Sequence, residues 1–408
     1  MLSRGRMLVV CALLLVAPWT HVNAEESPEA LFCTLIPTLE ADGERANASV
    51  AWQVGLGPRL PGSNASTALL DGLEARHPSW SFERDDHAWS STGLTNLVAM
   101  YPPNATLEQD RAFGLGAHYD TRHIADREPD EANQSTPIPG ANDGASGVAA
   151  VEEMMHLIPG MDLDHAVVVV MFDAEDQGET PIIEGSRRWA DNLTQSEREN
   201  LAGFVLLDMV GDASLDLANI TSNHPSLNDV VEPMAEAMGL IDGREGCSGT
   251  VNKDVYQPET RTWIGDDHMR INAVEVPAMV IIDHRYGPNA TRLADGYWHT
   301  LQDTPEHVSA ESLETVARMV ELGLRSGAWM EAVAPQEPAP TAPTIEEPDQ
   351  DEPTSEAEGA DGLAGPLGLL LLGWAFVVGV TSISAVSIVL LRKLRPPPVS
   401  STWSWDEA

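Results

Sequence analysis

Apolar runs alternate with helical patterns through most of the chain. The runs predict strands at residues 95–101, 112–117, 165–172, 203–209 and 278–283. The runs at 165–172 and 203–209 predict buried strands, and the nearly continuous run at 165–172 is typical of a strand of the parallel type. Between them, apolar residues recur at helical spacing. The predicted helices cover residues 67–76, 145–157, 184–192, 227–238 and 310–332, and a mostly helical segment at 29–53 should break at Pro37.

Strands that alternate with helices favour a mostly parallel sheet covered on both faces. The predicted fold is α/β, a three-layer α/β/α sandwich around a mixed, mostly parallel sheet. The loop at residues 121–140 is long for a compact domain, and such loops are usually functional or disordered. Active sites of α/β folds lie at the carboxyl ends of strands, so polar residues that follow the strands are the functional candidates.

The two ends of the chain carry different apolar patterns. At the start, Arg4 and Arg6 precede an apolar stretch at 7–16, which predicts a secretory signal over residues 1–24. An uncleaved anchor is the alternative, although the stretch is short for one.

Near the other end, residues 363–391 are long and apolar enough to span a bilayer as a C-terminal transmembrane helix. Basic residues follow it, which places the tail at 392–408 in the cytoplasm. A buried core helix is the alternative, but the stretch lacks an amphipathic pattern. The acidic, proline-rich segment 333–362 cannot bury a core and predicts a disordered linker.

These ends frame a predicted catalytic domain at residues 25–332. We therefore expect a single-pass protein of the cell membrane, held by its C-terminal helix, with this domain outside the cytoplasm. Asn-x-Ser/Thr sequons fit an outward-facing glycoprotein, or occur by chance. They lie at Asn47, Asn64, Asn104, Asn133, Asn192, Asn219 and Asn289.

Charge and cysteine content narrow the function further. The net charge is −40, which argues against a nucleic-acid partner, because such proteins carry basic patches. A solvated acidic surface is the simpler explanation of the charge. Cys33 and Cys247 remain after removal of the signal, so a disulfide between them is an open prediction.

Six residues along the chain have the chemistry of a zinc hydrolase site. Zinc takes histidine nitrogen and carboxylate oxygen, and a catalytic site leaves one position open. Most of the candidates sit at or just after an apolar run. They are His118, Asp143, Glu175, Asp176, Asp208 and His299.

Each candidate has a structural alternative when taken alone. His118 with Asp120 can be a surface pair, Asp143 a helix N-cap, and Asp208 a turn carboxylate. Glu175 and Asp176 can form a solvated acidic turn, but two buried carboxylates are costly without a cation.

Two further groups are less specific. His299 beside Trp298 becomes a ligand candidate only in the company of the others. Asp266, with the acidic residue and the histidine that follow it, can equally cap a helix.

Together these segments resemble a known family, the zinc aminopeptidases of metallopeptidase family 28, and within it the glutaminyl-peptide cyclotransferases. The resemblance covers residues 30–332. It is carried by GAHYDTR, PGANDGASGVA, FDAEDQGE, LLDMVGD, GDDH and YWHTLQDTPE.

The resemblance implies different sites in its two branches. By the aminopeptidase pattern, two zinc ions are held by a set in which Asp143 bridges: His118, Asp143, Asp176, Asp208 and His299. Glu175 is then the base that activates water.

By the cyclotransferase pattern, one zinc is held by Asp143, Asp176 and His299. Glu175 then moves the proton of an N-terminal glutamine amine to departing ammonia. Asp208 and Asp266 support that transfer, and Trp298 forms a wall of the substrate pocket. Apart from either pattern, the position of Asp120 two residues after His118 at a strand end favours a role in holding the neighbouring ligands in place.

Some residues favour the cyclotransferase branch and others depart from it. Asp266-Asp267-His268 and Trp298 before His299 are similar to the cyclases, and Arg122 after the His-x-Asp-Thr unit is a weaker similarity. Asp176 stands where many members have glutamate, and the aromatic residue expected within 177–183 is missing.

The expectation is a zinc enzyme that acts on peptide or protein N-termini, first as a glutaminyl-peptide cyclotransferase. A two-zinc aminopeptidase is the alternative, and a catalytically dead binding ectodomain is a remote third.

Overall fold

The computed structural model describes residues 28–334, except 90, 179–182, 289 and 293–295. The predicted signal, the transmembrane segment, the tail and nearly all of the linker lie outside the described residues. So does the sequon asparagine at position 289. Within the described part, none of the helices combines the length and the apolarity needed to cross a membrane.

A six-stranded sheet forms the centre of the domain, in the order β1-β2-β4-β3-β5-β8. The pairs β3–β4, β3–β5 and β5–β8 are parallel, and β1–β2 and β2–β4 are antiparallel. A second sheet pairs β6 with β7 in parallel. The strands are β1 Ser81–His87, β2 Leu94–Tyr101, β3 Ala112–His118, β4 Ala166–Phe172, β5 Leu201–Asp208, β6 Leu217–Ile220, β7 Tyr256–Thr262 and β8 Ala278–Ile282.

Ten α-helices and four short 3-10 turns accompany the strands in the described residues. The helices are α1 Pro28–Leu35, α2 Gly43–Gly55, α3 Asn64–Arg76, α4 Ala145–Leu157, α5 Glu184–Asn192, α6 Gln195–Asn200, α7 Pro225–Ala237, α8 His268–Asn272, α9 Ala310–Ser326 and α10 Ala328–Ala332. The 3-10 turns are Ile36–Thr38, Glu131–Asn133, Ile158–Gly160 and Pro305–His307.

Helices cover both faces of the sheet, which explains why β3, β4 and β5 are buried along their whole length. On one face α4 lies very close to the sheet, because a Cβ on Gly147 would fall 2.1 Å from the carbonyl oxygen of Leu207. On the other face Trp189 of α5 packs against Phe172 and Phe204. The prediction of an α/β fold with a mixed, mostly parallel sheet is confirmed.

Several element predictions were wrong or incomplete. The predicted helix 310–332 is two helices, because Gly327 adopts a left-handed φ of 76° and ends α9. Strand β1 was missed because SFERDDH is polar and half-exposed, as an edge strand can be. The strands β6 and β7 were also missed.

A disulfide joins Cys33 of α1 to Cys247, which follows α7. The two cysteines are 214 residues apart in the chain, so the bond ties its beginning to a distant loop. This confirms the pairing that the cysteine count had left open.

Candidate metal centre and active site

Two adjacent parallel strands bring His118 and Asp208 together. Gly116 of β3 pairs with Leu206 of β5, so the residues two positions further along project from the same face of the sheet. His118 Nε2 lies 3.1 Å from Asp208 Oδ1, and both residues are buried. The expected location at the carboxyl ends of the strands is what the structure shows.

Asp143 lies in the turn that leads into α4. Its backbone N–H and that of Asn142 donate to the two carboxylate oxygens of Asp303, at 3.2 and 2.7 Å. Gly144 adopts a φ of 96°, and a Cβ there would lie 2.8 Å from the carbonyl oxygen of Asp120. Gly144, not Asp143, is the N-cap residue, so the simple N-cap interpretation of Asp143 does not hold.

Glu175 and Asp176 follow β4 in a turn held by one buried carboxylate. Asp120 Oδ1 accepts from the N–H of Glu175 at 3.0 Å, and its Oδ2 accepts from the N–H of Asp176 at 3.2 Å. The same Oδ2 accepts from Gln177 Nε2 at 2.8 Å. Ala174 enters the turn with a left-handed φ of 54°, which lets the chain reverse directly after the strand.

His299 also has a left-handed backbone, with a φ of 57°. Its Nε2 lies 3.2 Å from Asp176 Oδ2 and 3.7 Å from Asp143 Oδ2. Its Nδ1 lies 3.1 Å from Asp126 Oδ1. The ring of Trp298 stacks on the His299 ring, with 3.6 Å between centroids.

The buried ligand candidates form two groups that share one carboxylate. The first is His118, Asp143 and Asp208, and the second is Asp143, Asp176 and His299; within each group the ligand atoms lie within 4.8 Å of one another. Asp143 turns Oδ1 toward His118 at 3.2 Å and Oδ2 toward His299. All five predicted metal ligands therefore come together.

This donor set fits zinc. Asp143 Oδ2 and Asp176 Oδ2 are buried without a hydrogen-bond partner, and buried carboxylate oxygens in that state are costly unless a cation compensates them. Imidazole nitrogen and carboxylate oxygen are ordinary zinc ligands. When bound, zinc would supply Lewis-acid polarisation of a carbonyl group.

Glu175, Asp208 and Asp266 have carboxyl groups that hold protons more tightly than usual. Burial is the main cause in all three, and it raises the pKa of Glu175 and of Asp266 well above the usual range. The charge of Asp176 adds to the effect at Glu175, and the charge of Asp208 adds to it at Asp266. Carboxyls with a raised pKa are candidates for general acid–base roles.

Asp266 and Asp267 lie in the loop before α8 and are almost completely buried. Asp266 Oδ1 accepts from the N–H of Asp267 at 2.6 Å, and its Oδ2 has no partner. Asp267 accepts from Ser186 at 2.5 Å. Although Asp267 is the N-cap residue of α8, its side chain makes no capping bond, so the capping interpretation does not account for the pair.

Trp298 is only 6% exposed. The guanidinium carbon of Arg127 lies 5.4 Å from the centre of its ring, on which His299 also stacks. Its role as a wall of the substrate pocket stays a prediction.

Sequence reasoning missed three buried or half-buried residues that support the site. Asp303 lies in the YWHTLQDTPE segment, and that segment was the signal that could have identified it. Asp126 lies in the long loop at 121–140, of a length that is usually functional or disordered. Arg59 is fully buried and donates to the carbonyl oxygens of Tyr119, Pro139 and Gly140. Nothing in its local sequence marked it.

Comparison with known proteins places these features in a family. Residues 96–322 match the profile of peptidase family M28. Over 240 residues the chain is 23% identical to aminopeptidase YwaD of Bacillus subtilis. The aligned region covers 57% of this chain and 44% of that protein. The chain spans less than half the length of the curated relatives it matches.

Two solved structures resemble nearly the whole described domain. A Zn-dependent exopeptidase from Parabacteroides distasonis is 27% identical with a TM-score of 0.58, over 70% of this chain and 98% of that chain. Glutaminyl cyclase of Bacteroides thetaiotaomicron, bound to N-acetylhistamine, is 27% identical with a TM-score of 0.57, over the same shares. The fold is thus common to exopeptidases and cyclases.

Proposed function

The chain belongs to peptidase family M28, and from this premise we propose that it is a zinc-dependent glutaminyl-peptide cyclotransferase. The reaction would convert an N-terminal glutamine to pyroglutamate and release ammonia. The observation that carries this proposal is the pair of buried carboxyls, Glu175 and Asp266, whose pKa values are both raised by burial. Cyclisation requires a proton to move within a closed site, and such a pair suits that task.

Each group then has a defined task. Asp143, Asp176 and His299 would hold the zinc, and a bound zinc ion would supply Lewis-acid polarisation of the glutamine side-chain carboxamide. Glu175 takes a proton from the neutral α-amine while the amine nitrogen forms a bond to the carboxamide carbon. Glu175 then gives this proton to the carboxamide nitrogen while the bond between that nitrogen and carbon breaks, so that ammonia leaves.

The remaining residues keep this geometry. Asp208 and Asp266 surround the proton path with carboxyls that stay protonated more readily than usual. Asp120 fixes the turn that carries Glu175. The attack is intramolecular, so positioning supplies most of the rate enhancement.

A two-zinc aminopeptidase is the second candidate, and a specific observation favours it. The group of His118, Asp143 and Asp208 is complete and buried, and it shares Asp143 with the other group. Two ions bridged by one carboxylate are an arrangement that aminopeptidases use to activate water.

We also propose, on sequence alone, that the enzyme is exported and held at the cell membrane by residues 363–391. In that arrangement the catalytic domain meets peptide N-termini outside the cytoplasm.

The test is a measurement of ammonia released from a glutamine-initiated peptide by the purified full chain with zinc. The same peptide with an acetylated N-terminus is the matched control, because it has no free amine to cyclise. Ammonia from the free peptide alone supports the proposal. Release of free amino acids in place of ammonia would favour the aminopeptidase.

A further inference from the structure

A buried arginine connects two of the metal-ligand candidates. Arg122 is 1% exposed, and its Nη1 donates to Asp176 Oδ1 at 2.8 Å. The other side of the guanidinium donates twice to Asp126, from Nε to Oδ1 at 2.9 Å and from Nη2 to Oδ2 at 2.8 Å. A planar fork of this kind fixes the orientation of its partners as well as their charge.

Asp126 passes this constraint to His299. The Asp126 Oδ1 that accepts from Arg122 also lies 3.1 Å from His299 Nδ1. A carboxylate on that nitrogen fixes the ring orientation and leaves Nε2 for a metal. Arg122 thus holds Asp176 directly and His299 through Asp126.

The salt bridge also limits what Asp176 can offer. Its Oδ1 is engaged by Arg122, while Oδ2 has no hydrogen-bond partner and lies 3.2 Å from His299 Nε2. Asp176 is therefore arranged to give a cation one oxygen. In the other group, the carboxylate of Asp120 faces the ring nitrogen of His118 that is turned away from the other ligands, with 3.5 Å between Asp120 Oδ1 and His118 Nδ1.

We infer that Arg122 and Asp126 are positioning residues that fix Asp176 and His299 as one unit. They thereby give the group of Asp143, Asp176 and His299 a zinc affinity that is controlled separately from that of the group of His118, Asp143 and Asp208. The inference rests on the zinc binding assumed in the proposed function. It concerns how tightly and at which group the ion is held, so it can fail while the proposed reaction stands.

The test is a zinc titration of the full chain in competition with a chromophoric chelator, which counts the bound ions and resolves their affinities. Arg122→Gln should weaken one zinc equivalent by about 10–100-fold, the range usual for residues that orient metal ligands. Any other equivalent should stay unchanged. Arg187→Gln is the matched control, because Arg187 also pairs with two carboxylates, Glu184 and Asp191, but on the surface of α5.

Two more variants distinguish an effect on ligand positioning from the loss of a positive charge and from a general loss of folding. Arg122→Lys keeps the charge but not the fork, so it should recover only part of the lost affinity. Asp126→Asn changes a side chain that is 32% exposed, so the fold should tolerate it, and it should weaken the same equivalent.

The outcomes are distinct. Unchanged zinc affinity in Arg122→Gln and Asp126→Asn would overturn the inference, as would full recovery by Arg122→Lys. If the wild type binds two ions, equal weakening of both would overturn it too. A wild-type chain that binds no zinc would contradict the proposed function as well.

Discussion

Replacement of Asp120 by asparagine should disturb the turn that carries the proposed base. Asp120 is fully buried and accepts from the N–H groups of Glu175 and Asp176 and from Gln177 Nε2. An asparagine has one acceptor oxygen, so at best it keeps the two bonds to Oδ2. Its amide would then face the N–H of Glu175, and two donors would oppose each other.

The energy of this change follows from the bonds involved. The lost bond to a charged acceptor is worth about 1.5–3 kcal/mol, and the two remaining bonds each lose about 1 kcal/mol when their acceptor becomes neutral. The sum, roughly 3–5 kcal/mol, is an upper limit, because removal of a buried charge also removes its desolvation cost. For a domain of this size that is a fall of about 5–8 °C in Tm.

The assay pairs thermal unfolding with zinc titration. Asp120→Asn should lower Tm and weaken zinc binding about 10-fold or more, because Asp176 moves with the turn. Asp164→Asn is the control, since that side chain is 99% exposed. If Asp120→Asn matched this control in both measurements, the role assigned to Asp120 would be refuted.

Three further predictions follow from the structure. Glu175→Gln should keep its zinc content and lose turnover, and a fully active variant would remove Glu175 as the base. Serine at both Cys33 and Cys247 should lower the free energy of unfolding by up to about 5 kcal/mol, because the bond spans 214 residues, and equal denaturation midpoints would contradict this. Burial alone would raise the pKa of Glu152, but the hydrogen bond with His77 helps to bring it below 4.5. The ionised Glu152 side chain therefore stabilises the fold above about pH 4.5, and this stabilisation is lost as the pH falls through the lowered pKa. The stability difference between wild type and Glu152→Gln should therefore shrink on acidification, and a difference independent of pH would count against it.

The sequence predicted the position of a side chain best where that position depends on a single strand. His118 and Asp208 lie at the ends of apolar runs, so their location at the carboxyl edge of the sheet could be predicted. That their two strands are neighbours is known only from the structure. The strand β1 could not be predicted, because an edge strand needs no apolar alternation to be held by its partner. Helix α9 was predicted too long, because helical spacing continues past Gly327 although the backbone does not.

The supporting residues were harder to predict, because their roles depend on contacts between distant segments. Asp303 holds the turn of Asp143 from 160 residues away. Asp126 meets His299 across 173 residues, from a loop without a regular pattern. Contacts between segments so far apart in the sequence produce no periodic pattern from which they could be predicted. The signal and membrane segments remain predictions, since they lie outside the described residues.

The most direct test of the proposed activity is mass spectrometry of two peptides, one beginning with glutamine and one with leucine, each incubated with the purified full chain and zinc. We expect the glutamine peptide to lose one ammonia and the leucine peptide to stay intact. Removal of the first residue from either peptide would contradict this expectation and identify a hydrolytic aminopeptidase.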